Sequence, residues 1–143
     1  MYKLFVSSLL FLVLAACATQ PTRHSDDMSV TLDQAYDEVW ERLVAHLSGT
    51  DFRVKSIAKD SGVIFAERAS FEDGLADCGS RGMASSSGRN VAFNVFVTES
   101  GGATRVQVNA DFTEARYLEQ SRWTTECRST GELERSIIQA IEA

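Results

Sequence analysis

Three cysteines, Cys17, Cys78 and Cys127, are the residues of this chain best able to carry covalent chemistry, and they stand in different settings. Cys17 closes the run Leu14-Ala15-Ala16-Cys17, which ends an apolar stretch from Leu4 preceded by one basic residue, Lys3. A basic start, a short apolar middle and small residues before a boundary mark a secretory signal, so export is expected for the rest of the chain. Spanning the hydrocarbon core takes roughly 20 apolar residues. Leu4 to Leu14 is too short unless Thr19, Gln20 and Pro21 enter lipid, and a retained membrane-spanning anchor is not expected. The other candidate chemistry is sparse. The two histidines, His24 and His46, have no evident partner in sequence, and Ser85 to Ser87 offer hydroxyls without a base to activate them. Glu72, Asp73 and Asp77 could gather around a cation, although loop carboxylates are ordinarily just solvated. The glycine-rich segment around them lacks the spacing of a phosphate cradle. No catalytic residue, metal site or cofactor is therefore expected, and the chain does not read as an enzyme.

The run at Cys17 resembles the lipobox of bacterial lipoproteins, an apolar residue and two small ones before a cysteine, matched by Leu14, Ala15, Ala16 and Cys17. The resemblance covers residues 1–17. It implies that residues 1–16 are a signal peptide, that the Cys17 thiol receives a diacylglyceryl group, and that the new amino terminus is acylated. Each buried methylene contributes about 0.8 kcal/mol, so two or three acyl chains hold a protein to a bilayer durably where one does not. Ala18 and Thr19 follow the cysteine in place of the aspartate that retains such proteins in the inner membrane. The implied address is the periplasmic face of the outer membrane.

Residues 17–29 read as a polar tether holding the sole proline, Pro21, and residues 30–143 as one domain. Removing Lys3 with the signal leaves 13 basic against 20 acidic side chains, a charge of -7 where the whole chain has -6. Nucleic acid is not an expected partner, because phosphate binding needs clustered Lys and Arg. The expected partners are the membrane, through acyl chains on Cys17, and other envelope proteins. With Cys17 assigned to lipid, Cys78 and Cys127 are the remaining thiols in an oxidising compartment, and they are expected to form a disulfide. They lack the Cys-x-x-Cys spacing and nearby histidines of a reactive or metal-binding pair.

The elements that must position these residues follow from periodicity. Ala35, Tyr36, Val39, Trp40, Leu43, Val44 and Leu47 form one helical face within Thr31 to Leu47, with Thr31 and Gln34 spaced as a capping box and Ser48-Gly49 as the stop. Glu38 and Arg42 lie one turn apart as an ion pair. Phe52 to Ile57 and Val63 to Arg68, joined by Lys59-Asp60-Ser61-Gly62, read as a hairpin. Ser70 to Arg89, rich in glycine and serine, reads as a mobile loop fastened by Cys78. Val91, Phe93, Val95 and Val97 alternate with Ala92, Asn94, Phe96 and Thr98, Ser100-Gly101-Gly102 turns the chain, and Val106, Val108, Ala110 and Phe112 face in on the return. Arg105, Gln107, Asn109, Asp111 and the exceptional Phe96 occupy the other face, a solvated surface or a binding one. Tyr117 to Arg128 either extends the sheet through Trp123 or wanders beside the disulfide. Ser129 and Glu132 have capping-box spacing ahead of a final helix carrying Leu133, Ile137, Ile138 and Ile141.

This order predicts an α+β two-layer sandwich, an antiparallel sheet of four or five strands with an N-terminal and a C-terminal helix on one face. It resembles the BamC-like helix-grip domains of envelope lipoproteins, through Ala35-Tyr36-Asp37-Glu38-Val39-Trp40 opening the first helix and Ser61-Gly62-Val63-Ile64 entering a strand. The cysteine pair and the single domain depart from that family, and no functional residue carries over. The expectation is a non-catalytic, membrane-anchored interaction or assembly module. The alternative is a periplasmic carrier holding an apolar ligand between helix and sheet, lined by Phe93, Trp40 and Tyr36.

Overall fold

A computed structural model describes residues 28–143. Cys17, the signal peptide and residues 17–27 of the expected tether lie outside the described residues. The chain folds as an α+β structure with an antiparallel sheet and two helices. In chain order the elements are β1 (Met28–Leu32), α1 (Tyr36–Ser48), β2 (Arg53–Ala58), β3 (Val63–Arg68), β4 (Ala76–Asp77), β5 (Ser85–Ser100), β6 (Ala103–Leu118), β7 (Ser121–Ser129) and α2 (Glu132–Glu142).

The sheet contains seven strands rather than the expected four or five, in the order β2-β3-β5-β6-β7-β4, with β1 also paired to β6. The spine is the β5–β6 hairpin, whose pairing runs from Ser100 opposite Ala103 to Ser85 opposite Tyr117. The other edge of β6 is shared: β1 takes Thr104 to Val108, and β7 takes Phe112 to Leu118. One long strand thus carries two short ones end to end.

Alternation on the spine sets the core. Val91, Phe93, Val95 and Val97 of β5 and Val106, Val108 and Phe112 of β6 are buried, while their neighbours in sequence face outward. Val39, Trp40, Leu43 and Leu47 of α1 and Leu133, Ile137, Ile138 and Ile141 of α2 join them in one continuous apolar cluster. Fully burying each of these side chains stabilises the fold by about 1.5–3 kcal/mol before chain entropy is counted. The Arg42 guanidinium ties the helices together: it pairs with Glu38 at 2.7 Å, as expected, and donates to the carbonyls of Ile141 and Ala143 at the end of α2.

Four local expectations are corrected. The first helix begins at Tyr36, not near Thr31, because Thr31 lies in β1 opposite Arg105 and its capping box with Gln34 does not form. The Gln34 side chain instead accepts from Arg42, and its carbonyl accepts from the buried Thr104 hydroxyl at 2.8 Å. Met28 and Ser29, the last residues of the expected tether, are the first residues of β1. The second capping box is also absent: Gly131 precedes α2 with φ of 80°, and the Ser129 hydroxyl, at the end of β7, accepts from the Gly131 amide and donates to Glu134. Finally, Ser70 to Arg89 is no free loop. Phe71 is buried edge-on against Phe112, β4 pairs with the end of β7, and β5 begins at Ser85. The open question over Tyr117 to Arg128 resolves as sheet, since β7 pairs with β6.

Candidate functional site

The disulfide and a cluster of buried charges lie together at the end of the sheet beyond Phe112. Cys127 stands on β7 opposite Phe112, and it is bonded to Cys78, which follows β4, with an S–S distance of 2.00 Å and a sequence separation of 49. The expected disulfide is thus present, and it clamps the segment after β4 over the inner face of β6 and β7. In the chain-entropy view, closing a loop of this length removes roughly 4 kcal/mol of freedom from the unfolded state.

Beyond Phe112 the inner face of β6 continues with Glu114 and Arg116, both buried. Glu114 is fully shielded from solvent, and three guanidinium groups surround it: Arg116 at 2.6 Å, Arg81 at 2.7 Å and Arg89 at 3.5 Å. Burial pushes the Glu114 carboxyl up, but hydrogen bonds from Arg116, Arg81 and Ser86, with the Arg81 charge, outweigh it and hold the group down at about 2. A bulge between Ser86 and Gly88 shifts the β5 register by one residue and turns Ser86 toward this carboxylate. Arg116 then donates to the carbonyls of Cys78, Gly79 and Ser80. Arg89 also reaches Asp73 at 2.6 Å, and this contact lowers the Asp73 pKa through the hydrogen bond and the charge of Arg89. Every cation faces an acceptor, so the cluster is a latch that holds the disulfide loop rather than an open charge site.

The candidate groups named from sequence are dispersed. Glu72 pairs with Arg68, Asp73 with Arg89, and Asp77 accepts from the Gly79 amide. Among the described residues no group of three or more His, Cys, Asp or Glu is placed to hold a metal ion. His46 is half-buried on α1, and His24 lies outside the described residues. Ser87 donates to the Ala115 carbonyl at 3.4 Å, and Ser86 serves Glu114. Trp40 is buried and stacked on Tyr36, and Phe93 is buried with Phe52 edge-on at 4.9 Å. On the outer face, Phe96 is partly exposed and paired with Val63 of β3.

An open cleft of about 570 Å³ lies at the opposite end of the sheet, between the start of α1, the Lys59–Gly62 turn and Val97 to Glu99 of β5. The Tyr36 hydroxyl donates to the Lys59 carbonyl at 2.5 Å, and Lys59 pairs with Asp37 at 2.8 Å. Burial raises the Tyr36 pKa, and Asp37 and Asp60 add to the rise against the opposing Lys59 charge. The hydrogen bond that Lys59 donates to Asp37 raises the Lys59 pKa in turn. Both groups therefore keep their protons at neutral pH, and neither is prepared to act as a base. Gly62 is required here: φ is +67°, and a Cβ would stand 2.0 Å from the Val97 carbonyl oxygen.

The latch around Glu114 was missed by sequence reading, although a signal exists. The alternation that places Val106, Val108 and Phe112 inward continues in register to Glu114 and Arg116. Among the described residues no helix is long and apolar enough to cross a membrane. In comparison with known proteins, no family model matches the chain and no curated protein matches it.

Proposed function

We propose that this chain is a non-catalytic lipoprotein of the bacterial envelope, held on the periplasmic face of the outer membrane by acyl chains on Cys17. It presents a small helix-grip-like sandwich, with both helices on one face of the sheet, to other envelope proteins. The observation that carries the reading is Leu14-Ala15-Ala16-Cys17 at the end of a short apolar run with a basic start. Two structural facts support it. The Cys78–Cys127 bridge suits an oxidising compartment. The titratable groups that could have made an active site are engaged with one another or with backbone, in the latch and at the cleft. Packing of Trp40 and Phe93 into the core favours an interaction module over a carrier with a cavity between helix and sheet.

The outer sheet face around Phe96 and Val63 is the surface offered to a protein partner. Fractionation of cells producing the wild type and Cys17→Ser tests the anchor. The wild type is expected in the membrane fraction, with Cys17→Ser released or retained as uncleaved precursor; an equal distribution of mature wild type and variant contradicts the reading. Crosslinking before mild solubilisation tests the partner role, which fails if only bulk lipid accompanies the protein.

A further inference from the structure

Six large apolar side chains are notably exposed among the described residues, and four of them, Met83, Tyr117, Leu118 and Trp123, gather at the end of the sheet beyond Glu114. Tyr117 and Leu118 close β6 opposite Arg122 and Ser121. Trp123 stands opposite Arg116, and Met83 sits in the turn just before Ser85, which pairs with Tyr117. Trp123 is 41% exposed, Leu118 40%, Tyr117 40% and Met83 86%. By alternation Leu118 and Trp123 share the face of Arg116, and Tyr117 points to the other. A tip that is apolar on both faces suits immersion in a medium better than apposition to one flat protein surface.

The chemistry of the tip is that of a bilayer interface. Trp and Tyr combine an apolar ring with a polar edge that favours the headgroup level, and arginine stems can lie along apolar surface with the charge in water. Arg122, opposite Tyr117, flanks the patch and can offer a cation to anionic headgroups beside the acidic Glu119 of the hairpin turn, although the chain as a whole carries -6.

The chain direction brings the anchor to the same end. β1 runs from Met28 opposite Val108 to Leu32 opposite Thr104, while β6 runs the other way toward Leu118, so the first residue of β1 is the one nearest the tip. From Val108 to Leu118 the strand extends about 33 Å. The chain between Cys17 and Met28 can span at most about 40 Å, enough to let the acyl chains and the tip meet one bilayer.

We infer that the tip formed by Met83 and the Tyr117–Trp123 hairpin dips into the headgroup region of the membrane that holds Cys17, so that the domain stands on the bilayer at two points. The inference rests on the acylation reading, and the experiment separates the two. The acylated protein is reconstituted into vesicles of phosphatidylethanolamine and phosphatidylglycerol, with plain or brominated acyl chains, and flotation is followed together with tryptophan emission. The chain has two tryptophans, and Trp40 is buried, so the difference between wild type and Trp123→Phe isolates the tip signal. The expected result is flotation with about twofold stronger quenching of Trp123 in brominated vesicles and a comparable loss of acrylamide access. Met83→Ser with Leu118→Ser should weaken that quenching while flotation persists. Flotation without bromine quenching overturns the tip contact and leaves the anchor standing. Protection of Trp123 that grows with protein density and ignores bromine assigns the patch to a second copy and also overturns it. Failure to float removes the anchor, and this inference with it.

Discussion

The inner face of the β5–β6 hairpin is held down in two different ways along its length. Under the helices, Val91 to Val97 and Val106 to Phe112 are sealed by apolar side chains from α1 and α2. Past Phe112 the same face carries Glu114 and Arg116, and the segment after β4 lies over it, held by those two residues and the Cys78–Cys127 bridge. A helix can bring a row of apolar side chains to a sheet; a short irregular segment brings mainly backbone carbonyls, which need donors. Arginines supply those donors, and a buried carboxylate makes the arginines tolerable in a site with little water. The difference teaches that this domain has an apolar half built on burial and a polar half built on directional bonds and a covalent clamp.

That contrast can be broken or sharpened experimentally. Phe93→Ala empties the centre of the apolar half and should cost about 3–5 kcal/mol in urea unfolding, with little dependence on salt or pH. A loss below about 1 kcal/mol would mean that this half is loosely packed. Replacing Cys78 and Cys127 together by alanine should cost about 4 kcal/mol, and hydrogen exchange should rise first in residues 78–84 rather than under the helices. Uniform acceleration of exchange would erase the distinction between the halves.

Glu114→Gln should cost about 2–3 kcal/mol at neutral pH, because the arginines lose the charge they surround. The pH dependence gives this prediction its sign. The Glu114 pKa lies near 2 in the folded protein, below its ordinary value of 4.5, so its contribution is complete above pH 4.5 and is lost as pH falls through about 2. The stability gap between wild type and Glu114→Gln should therefore narrow across that window, whereas the gap for Phe93→Ala should not. A constant Glu114→Gln gap down to pH 2 would show that the carboxylate is not a charged latch.

The two halves also differ in how far they can be read from sequence. The apolar half is legible because its signals are local and periodic: Val91, Phe93, Val95 and Val97 recur at every second position, and Ile137, Ile138 and Ile141 recur at helical spacing. The disulfide follows from cysteine count and compartment. Ser85 to Gly88 reads as loop because serine and glycine have weak strand preference, yet pairing with β6 makes it strand. Met28 to Leu32 is concealed similarly, since Thr31 and Gln34 imitate a helix start while the pairing that decides the matter lies some 75 residues away at Arg105. Glu114 and Arg116 keep the inward phase of β6 but are charged, and a pattern of apolar residues cannot announce a buried ionic cluster.

Whichever half dominates stability, the functional account depends on a lipid at Cys17. Intact-mass measurement of the protein extracted from its own membrane tests this most directly. The account predicts a chain beginning at Cys17 that is heavier than its amino acids by a diacylglyceryl group and an amide-linked acyl chain. A product with an unmodified Cys17 thiol, or with residues 1–16 still attached, would contradict it.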